Sequence, residues 1–242
     1  MKNSTTSKAK SPAPIKPLAP TQFTRSVVAA LAPLADPALQ HGMRAYMKDR
    51  FVFLGIKTPA RRAALASLIL SQKGATAADL LRTARALWAL DEREYQYAAV
   101  DLLGRHVRRL TPADIPALLA LVEKKSWWDT VDALASVVNR ILRAADPQMQ
   151  SLMDEALASE SFWIRRVAIL HQLGWRERTD TKRLFGYAIV CASEKEFFIR
   201  KAIGWALRDY AHHASKQVRA FIREHKSVLS PLTVREAGKH IL

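Results

Sequence analysis

Phe162-Trp163-Ile164-Arg165-Arg166 and Phe197-Phe198-Ile199-Arg200-Lys201 match in residue type at every position, 35 residues apart. Counting back by the same interval reaches Trp127-Trp128-Asp129, which keeps the aromatic pair and loses the basic one. Tyr95-Gln96-Tyr97 is a fourth, more degenerate copy. Around these copies the apolar residues recur at three- and four-residue spacing, as in Val27, Val28, Leu31, Leu34 and again in Leu65, Leu68, Ile69. An internal period of about 35 to 40 residues with helical patterning throughout predicts stacked helix pairs, a curved solenoid with a concave binding face. The competing reading is a pair of amphipathic helices alike by chance.

Working outward, the chain is punctuated as a run of helices. Thr58-Pro59, Thr111-Pro112, Asp146-Pro147 and Ser230-Pro231 each set a capping side chain before a proline suited to the first helical turn. Of the eleven prolines, Pro12, Pro14, Pro17 and Pro20 fall in the first twenty residues. Residues 1–20 therefore read as a disordered basic tail rich in Ser, Pro and Lys, and residues 21–242 as one helical-repeat domain. The tail lacks acidic residues, as organelle transit peptides do, but its prolines oppose the amphipathic helix such a peptide needs.

Lys and Arg number 38 against 22 Asp and Glu, a formal charge of +16. Such an excess favours a polyanionic partner, nucleic acid first, because each neutralised phosphate releases a counterion. A basic soluble or ribosome-associated protein is the plainer alternative. Hydrophobic residues make up 49% of the chain, enough to build a core. No run of eighteen apolar residues predicts a membrane span. Cys191 is the single cysteine and fits a reducing compartment; the expected location is the bacterial cytoplasm, in association with the nucleoid. There is no HExxH, glycine-rich phosphate loop, GxSxG elbow or dinucleotide fingerprint, and the adjacent His212 and His213 point apart on a helix. Neither a metal nor another cofactor is expected.

Lys124-Lys125-Ser126-Trp127-Trp128-Asp129-Thr130-Val131-Asp132 carries the most chemical information. With Ser126 as the cap, Trp128 and Asp132 stand at i and i+4 on one helix face, and Asp129 lies one turn before Asp132. A carboxylate beside an indole has two readings. One is structural, an Asp paired with a neighbouring Arg; the other is a site in which an anionic oxygen and a π-face stabilise a cation. Arg165 and Arg166 project about 100° apart, so at most one faces the groove. Arg166 shares a face with Trp163, and it either clamps a phosphate or pairs with Asp129 or Asp132. Gly204, just before Trp205 in an otherwise good helix, costs about 0.5–1 kcal/mol relative to Ala. It predicts a close approach there, either a pocket walled by Trp205 or a tightly packed neighbouring helix.

SWWDTVD at 126–132, FWIRRVAILHQL at 162–173 and KEFFIRKAIGWALRDYA at 195–211 resemble the AlkD-type DNA alkylation-repair glycosylases. AYMKDRFVFLGIKTPARR at 45–62 looks like that family's opening helix pair, and PLTVREAGKHI at 231–241 like its closing helix, so the similarity spans about residues 22–242. The resemblance implies an all-α fold, a superhelical solenoid of HEAT-like helix pairs with a concave basic groove around duplex DNA. It places Trp128 and Asp132 on the family's active-site Trp and Asp, Arg166 on its active-site Arg, and Trp205 on its second active-site Trp. Tyr46 falls on a tyrosine that contacts DNA, and Arg165 and Lys201 are further candidates for DNA contact. The implied activity is hydrolysis of the N-glycosidic bond of cationic N3- or N7-alkylated purines, 3-methyladenine and 7-methylguanine, in duplex DNA. The enzyme would be a monofunctional monomer that leaves an abasic site without extruding the base. The alternative is a non-catalytic helical-repeat module that binds DNA or protein, and a third possibility is an RNA-binding repeat protein.

Overall fold

The computed structural model describes residues 16–239. Among these residues there are twelve α-helices and no strand: α1 (Pro20–Leu31), α2 (Pro37–Tyr46), α3 (Thr58–Ser71), α4 (Ala77–Ala89), α5 (Arg93–Arg105), α6 (Ile115–Val122), α7 (Trp128–Ala144), α8 (Ser151–Leu157), α9 (Phe162–Leu170), α10 (Thr181–Val190), α11 (Phe197–Glu224) and α12 (Pro231–Gly238). Short loops pair α4 with α5, α6 with α7, α8 with α9 and α10 with α11. Within this array α5, α7, α9 and α11 stack as an inner row, while α1, α4 and α6 stack as an outer one. The predicted all-α solenoid of helix pairs is the fold of the chain.

The sequence period returns as the separation between bonded neighbours. Trp88 Nε1 donates to the Lys124 carbonyl, Asn139 Nδ2 to that of Leu173, and Gly174 N to the Asp209 carboxylate, joining residues 36, 34 and 35 apart. Beneath these bonds the helices bury apolar stripes at helical spacing. In α7, Val131, Leu134, Ala135, Val138 and Leu142 are all buried. Removing a Leu or Val side chain from water stabilises by about 1.5–3 kcal/mol, so each inner helix is held mainly by its stripe.

At three of the four proline-linked starts a side chain binds a backbone N–H of the first turn. Asp146 accepts from Gln148 N, Ser230 accepts from Thr233 N, and at Thr111 the backbone N–H is held by Asp114. Thr58 differs: it already lies inside α3, with Lys57 as the flanking residue and no side-chain cap. Ser126 is also not a cap. Its hydroxyl donates to the Val122 carbonyl at 2.6 Å, and Trp127 flanks α7 instead. Residues 1–15 of the expected tail lie outside the described residues. The rest of that segment belongs to the fold, because Leu18 packs on the core, the Gln72 amide faces the Leu18 backbone, and Pro20 opens α1. Ala214 breaks α11 with φ −133° and ψ 60°, a bend that no glycine or proline announces.

Gly204 meets the reading in which a neighbouring helix packs closely. A Cβ at this position would lie 2.5 Å from Glu236 Cβ and 3.1 Å from the Thr233 carbonyl, both on α12. Because these are backbone-proximal atoms, no side-chain rotation relieves the clash. Gly204→Ala is therefore expected to cost about 1–3 kcal/mol, read as a lower denaturant midpoint with the slope unchanged. An unchanged midpoint would show that α12 can shift freely.

Candidate active site

The N-termini of the inner helices meet along one edge of the solenoid. Arg93 opens α5, Trp128 opens α7, Phe162 opens α9 and Phe197 opens α11. Two carboxylates one turn apart on α7 face this edge, and each has its own arginine from a neighbouring repeat.

Asp129 is the structural one. Arg93, fully buried, grips it through Nε at 3.0 Å and Nη2 at 2.6 Å, and Tyr97 donates its hydroxyl to it at 2.6 Å. Arg93 also donates to the Lys125 carbonyl and the Thr130 hydroxyl, each at 2.8 Å. Lys125 adopts a left-handed conformation, φ 53°, at the turn into α7. The guanidinium thus fixes the entry of the helix that carries Trp128 and Asp132.

Asp132 remains partly open. Arg166 binds it bidentately, Nε to Oδ1 at 2.7 Å and Nη2 to Oδ2 at 2.8 Å, while its third nitrogen donates to the Phe198 carbonyl at 2.5 Å. The Arg166 side chain is 5% exposed and that of Asp132 is 18% exposed. The carboxylate therefore faces solvent more than its partner does. Burial pushes the Asp132 carboxyl above the usual aspartate range, Arg166 pulls it back down, and the Asp129 charge adds to the rise.

Trp128 lies one helical turn before Asp132 on α7, with an exposed tyrosine against it. The Tyr46 ring meets Trp128 edge-on at 6.1 Å, and Tyr46 is 68% exposed at the end of α2. Behind them Trp127, Trp163 and Phe198 form a packed aromatic floor, and the Arg50 guanidinium lies 4.3 Å from the Trp127 ring. Trp205 is partly exposed on α11, and no ring or polar contact joins it to Trp128 or Asp132 among the described residues.

The two other basic candidates are occupied in ion pairs. Arg165 pairs with Glu194 at 2.8 Å and donates to the Ser159 and Glu160 carbonyls, tying together the loops before α9 and α11. Lys201 pairs with Glu236 at 3.0 Å. Burial would raise the Glu236 carboxyl, but hydrogen bonds from Lys201, Lys239 and Arg208 outweigh it and hold the group at about 2. Both pairs join elements of the closing repeats.

Glu94 is a structural support of the candidate site that sequence reasoning missed. Fully buried, it accepts from the backbone N–H groups of Leu54, Gly55 and Ile56 at 2.9, 3.0 and 3.0 Å. It thereby anchors the loop that follows Tyr46, which brings Arg50 to the Trp127 ring and lays Phe51 3.8 Å from the Arg93 guanidinium. An acidic residue at the second position of an inner helix was the available signal, but its partners are backbone groups about 40 residues away, which carry no side-chain pattern. Among the described residues no three His, Cys, Asp or Glu side chains cluster as metal ligands. No helix among them is long and apolar enough to cross a membrane.

No curated protein matches the chain. A solved structure described as a "predicted DNA alkylation repair enzyme" from Enterococcus faecalis is 35% identical, covering 85% of this chain and 96% of that one with a TM-score of 0.81. The family model described as "DNA alkylation repair enzyme" matches residues 27–241, nearly the whole of the described solenoid, and the chain belongs to that family.

Proposed function

We propose that the protein is a monofunctional DNA glycosylase that hydrolyses the N-glycosidic bond of cationic N3- or N7-alkylated purines in duplex DNA, leaving an abasic site. The observation that carries this reading is Asp132: a partly exposed carboxylate, fixed bidentately by a buried arginine and one helical turn after Trp128 on α7. Alkylation at N3 or N7 fixes a positive charge on the base, which makes it a good leaving group without an added proton. What needs stabilising is the deoxyribose, which becomes oxocarbenium-like as the bond breaks. An ionised carboxylate beside a π-face suits that cation, and it can also orient the attacking water.

Arg166 takes a narrower role in this scheme than a phosphate clamp. Three of its donors are engaged inside the protein, so it acts as a positioning residue that fixes Asp132 and keeps it ionised against the cost of burial. Trp128 and Trp205 would flank the lesion's sugar and backbone, with Tyr46 touching the strand beside Trp128. Two lysines of these repeats are engaged elsewhere: Lys125 bonds the Leu90 carbonyl and Lys201 bonds Glu236, so neither is presented as a Schiff-base nucleophile. The reaction calls for no cofactor, and the enzyme would work as a monomer on duplex DNA, in the nucleoid of a bacterial cytoplasm. The test is release of 3-methyladenine or 7-methylguanine from alkylated duplex by the wild-type chain. No release by a chain that still binds duplex would favour a non-catalytic binding module.

The Asp132 environment also sets a pH dependence. The ionised form is the active one, so activity falls as the pH drops through its raised pKa, and the acid limb should lie above the ordinary aspartate value of 3.8. Because Arg166 lowers that pKa, Arg166→Gln is expected to move the limb toward neutrality. Single-turnover rates between about pH 4 and 8 decide it; a limb that stays in place would mean that Asp132 ionisation does not control the reaction.

A further inference from the structure

Basic residues at or just past the C-terminal ends of α3, α5, α7 and α9, and at the break in α11, repeat with the period of the fold. Lys73, Arg108, Arg143, Arg178 and His213 follow at intervals of 35, and Arg105, Arg140, Arg176 and His212 make a second line at 35, 36 and 36. Arg105 lies in the last turn of α5, Arg143 in that of α7, and the others from Lys73 to Arg178 in or beside the turns that end these repeats. This is the opposite rim from Asp132. With 13 residues in α5 and 17 in α7, the two edges are separated by about 20–25 Å at 1.5 Å per residue.

Folding accounts for part of this array. Arg109 donates to the Lys73 carbonyl at 2.7 Å, Arg140 to that of Gly104 at 2.6 Å, and Arg178 to that of Arg143 at 2.8 Å. One arginine at each boundary thus satisfies a carbonyl in the preceding repeat's closing turn, where unpaired C=O groups and the negative dipole end attract cations. Folding does not account for Lys73, Arg105, Arg108, Arg143 and Arg176. All five are exposed, and no ion pair joins them to a carboxylate among the described residues. Arg105, His106, Arg108, Arg109 and Arg140 surround one recess of about 430 Å³. Like charges crowded in this way oppose folding through mutual repulsion, which a polyanionic ligand would relieve. Helices pack 8–10 Å apart, so the line from Lys73 to Arg178 runs about 25–30 Å, the length of about seven to nine base pairs at 3.4 Å each.

We propose that this rim is a second line of contact with duplex DNA, engaging the phosphates that flank the damaged base while the Asp132 edge addresses the lesion. The inference rests on the reading of duplex DNA as substrate. The experiment compares the full-length chain with the quadruple variant Arg105→Gln, Arg108→Gln, Arg143→Gln, Arg176→Gln on an undamaged duplex across a salt series. Each phosphate contact contributes about 0.9 to the slope of log K against log salt, so the variant should lose up to about 3.6. The corresponding quadruple Lys variant should keep the wild-type slope. Single-turnover base release at saturating protein should be unchanged, as none of the four residues touches the Asp132 cluster. An unchanged slope with base release intact overturns the rim and leaves the glycosylase standing. A reduced slope in a protein that releases no alkylated base supports the rim and removes the glycosylase. Tighter wild-type binding to duplex RNA than to duplex DNA of equal length at equal salt overturns the DNA assignment.

Discussion

Asp132→Asn is expected to slow single-turnover release of alkylpurine from damaged duplex by about 10²- to 10³-fold, the loss typical of removing one preorganised electrostatic group from a reacting centre. The replacement is nearly isosteric. Its carbonyl oxygen can still accept one Arg166 hydrogen bond, and Arg166 keeps its bond to the Phe198 carbonyl, so the side chain stays in place. What disappears is the negative charge facing the developing oxocarbenium ion. Binding to undamaged duplex should change by far less, because a carboxylate repels phosphate and its removal cannot weaken that attraction. Melting must be followed alongside, since Arg166 is left with an uncompensated charge at 5% exposure. Undiminished release by a folded Asn variant would end the catalytic assignment of Asp132. The structural and catalytic readings of this residue are not exclusive in the geometry: the ion pair with Arg166 is real, and it leaves the outward side of the carboxylate available.

The period of 35 residues was legible because it is written in side-chain types, and it reappears as bonds between residues 34 to 36 apart. Trp128 and Asp132 on one face of α7 followed from helical spacing, and that survived the misplacement of the cap at Ser126, since a one-residue error at a helix start does not alter which residues lie four apart. Pairings between repeats were harder to read. Which carboxylate took which arginine is decided by the tilt of whole helices, so Asp129 and Asp132 both remained open as partners of Arg166. Repeat arithmetic does contain the answer for Asp129, because Arg93 lies 36 residues before it. The Glu94 anchor left no trace in side-chain patterning, because its partners are backbone N–H groups. Pro20 and Leu18 were assigned to the tail by composition, but an apolar residue beside a helix start packs wherever a neighbouring surface is open to it.

Arg93→Met should produce the largest loss of stability of any single change near the site, about 3–5 kcal/mol, because it strands a carboxylate that is buried with its partner. Asp129 has a side chain 7% exposed, and without Arg93 its remaining partner is the Tyr97 hydroxyl. The Lys125 carbonyl and the Thr130 hydroxyl lose a donor in the same step. For a domain of this size such a loss corresponds to a fall in melting temperature on the order of 10 °C. A second variant separates a buried-charge penalty from simple loss of packing. Adding Asp129→Leu to Arg93→Met removes both charges and fills the space with apolar atoms, and this should recover most of the loss, short of about 1 kcal/mol for the unpaired Tyr97 hydroxyl. If the double variant is no more stable than the single one, the pair is holding the turn at Lys125 by geometry rather than merely neutralising itself. Asp129→Asn alone, which leaves the Arg93 charge in place, reports on catalysis. The Asp129 charge contributes to the raised pKa of Asp132, so its removal should move the acid limb of the rate profile downward, opposite to the shift expected for Arg166→Gln. Opposed shifts from two neighbours of one carboxylate would identify Asp132 as the group whose ionisation the reaction requires.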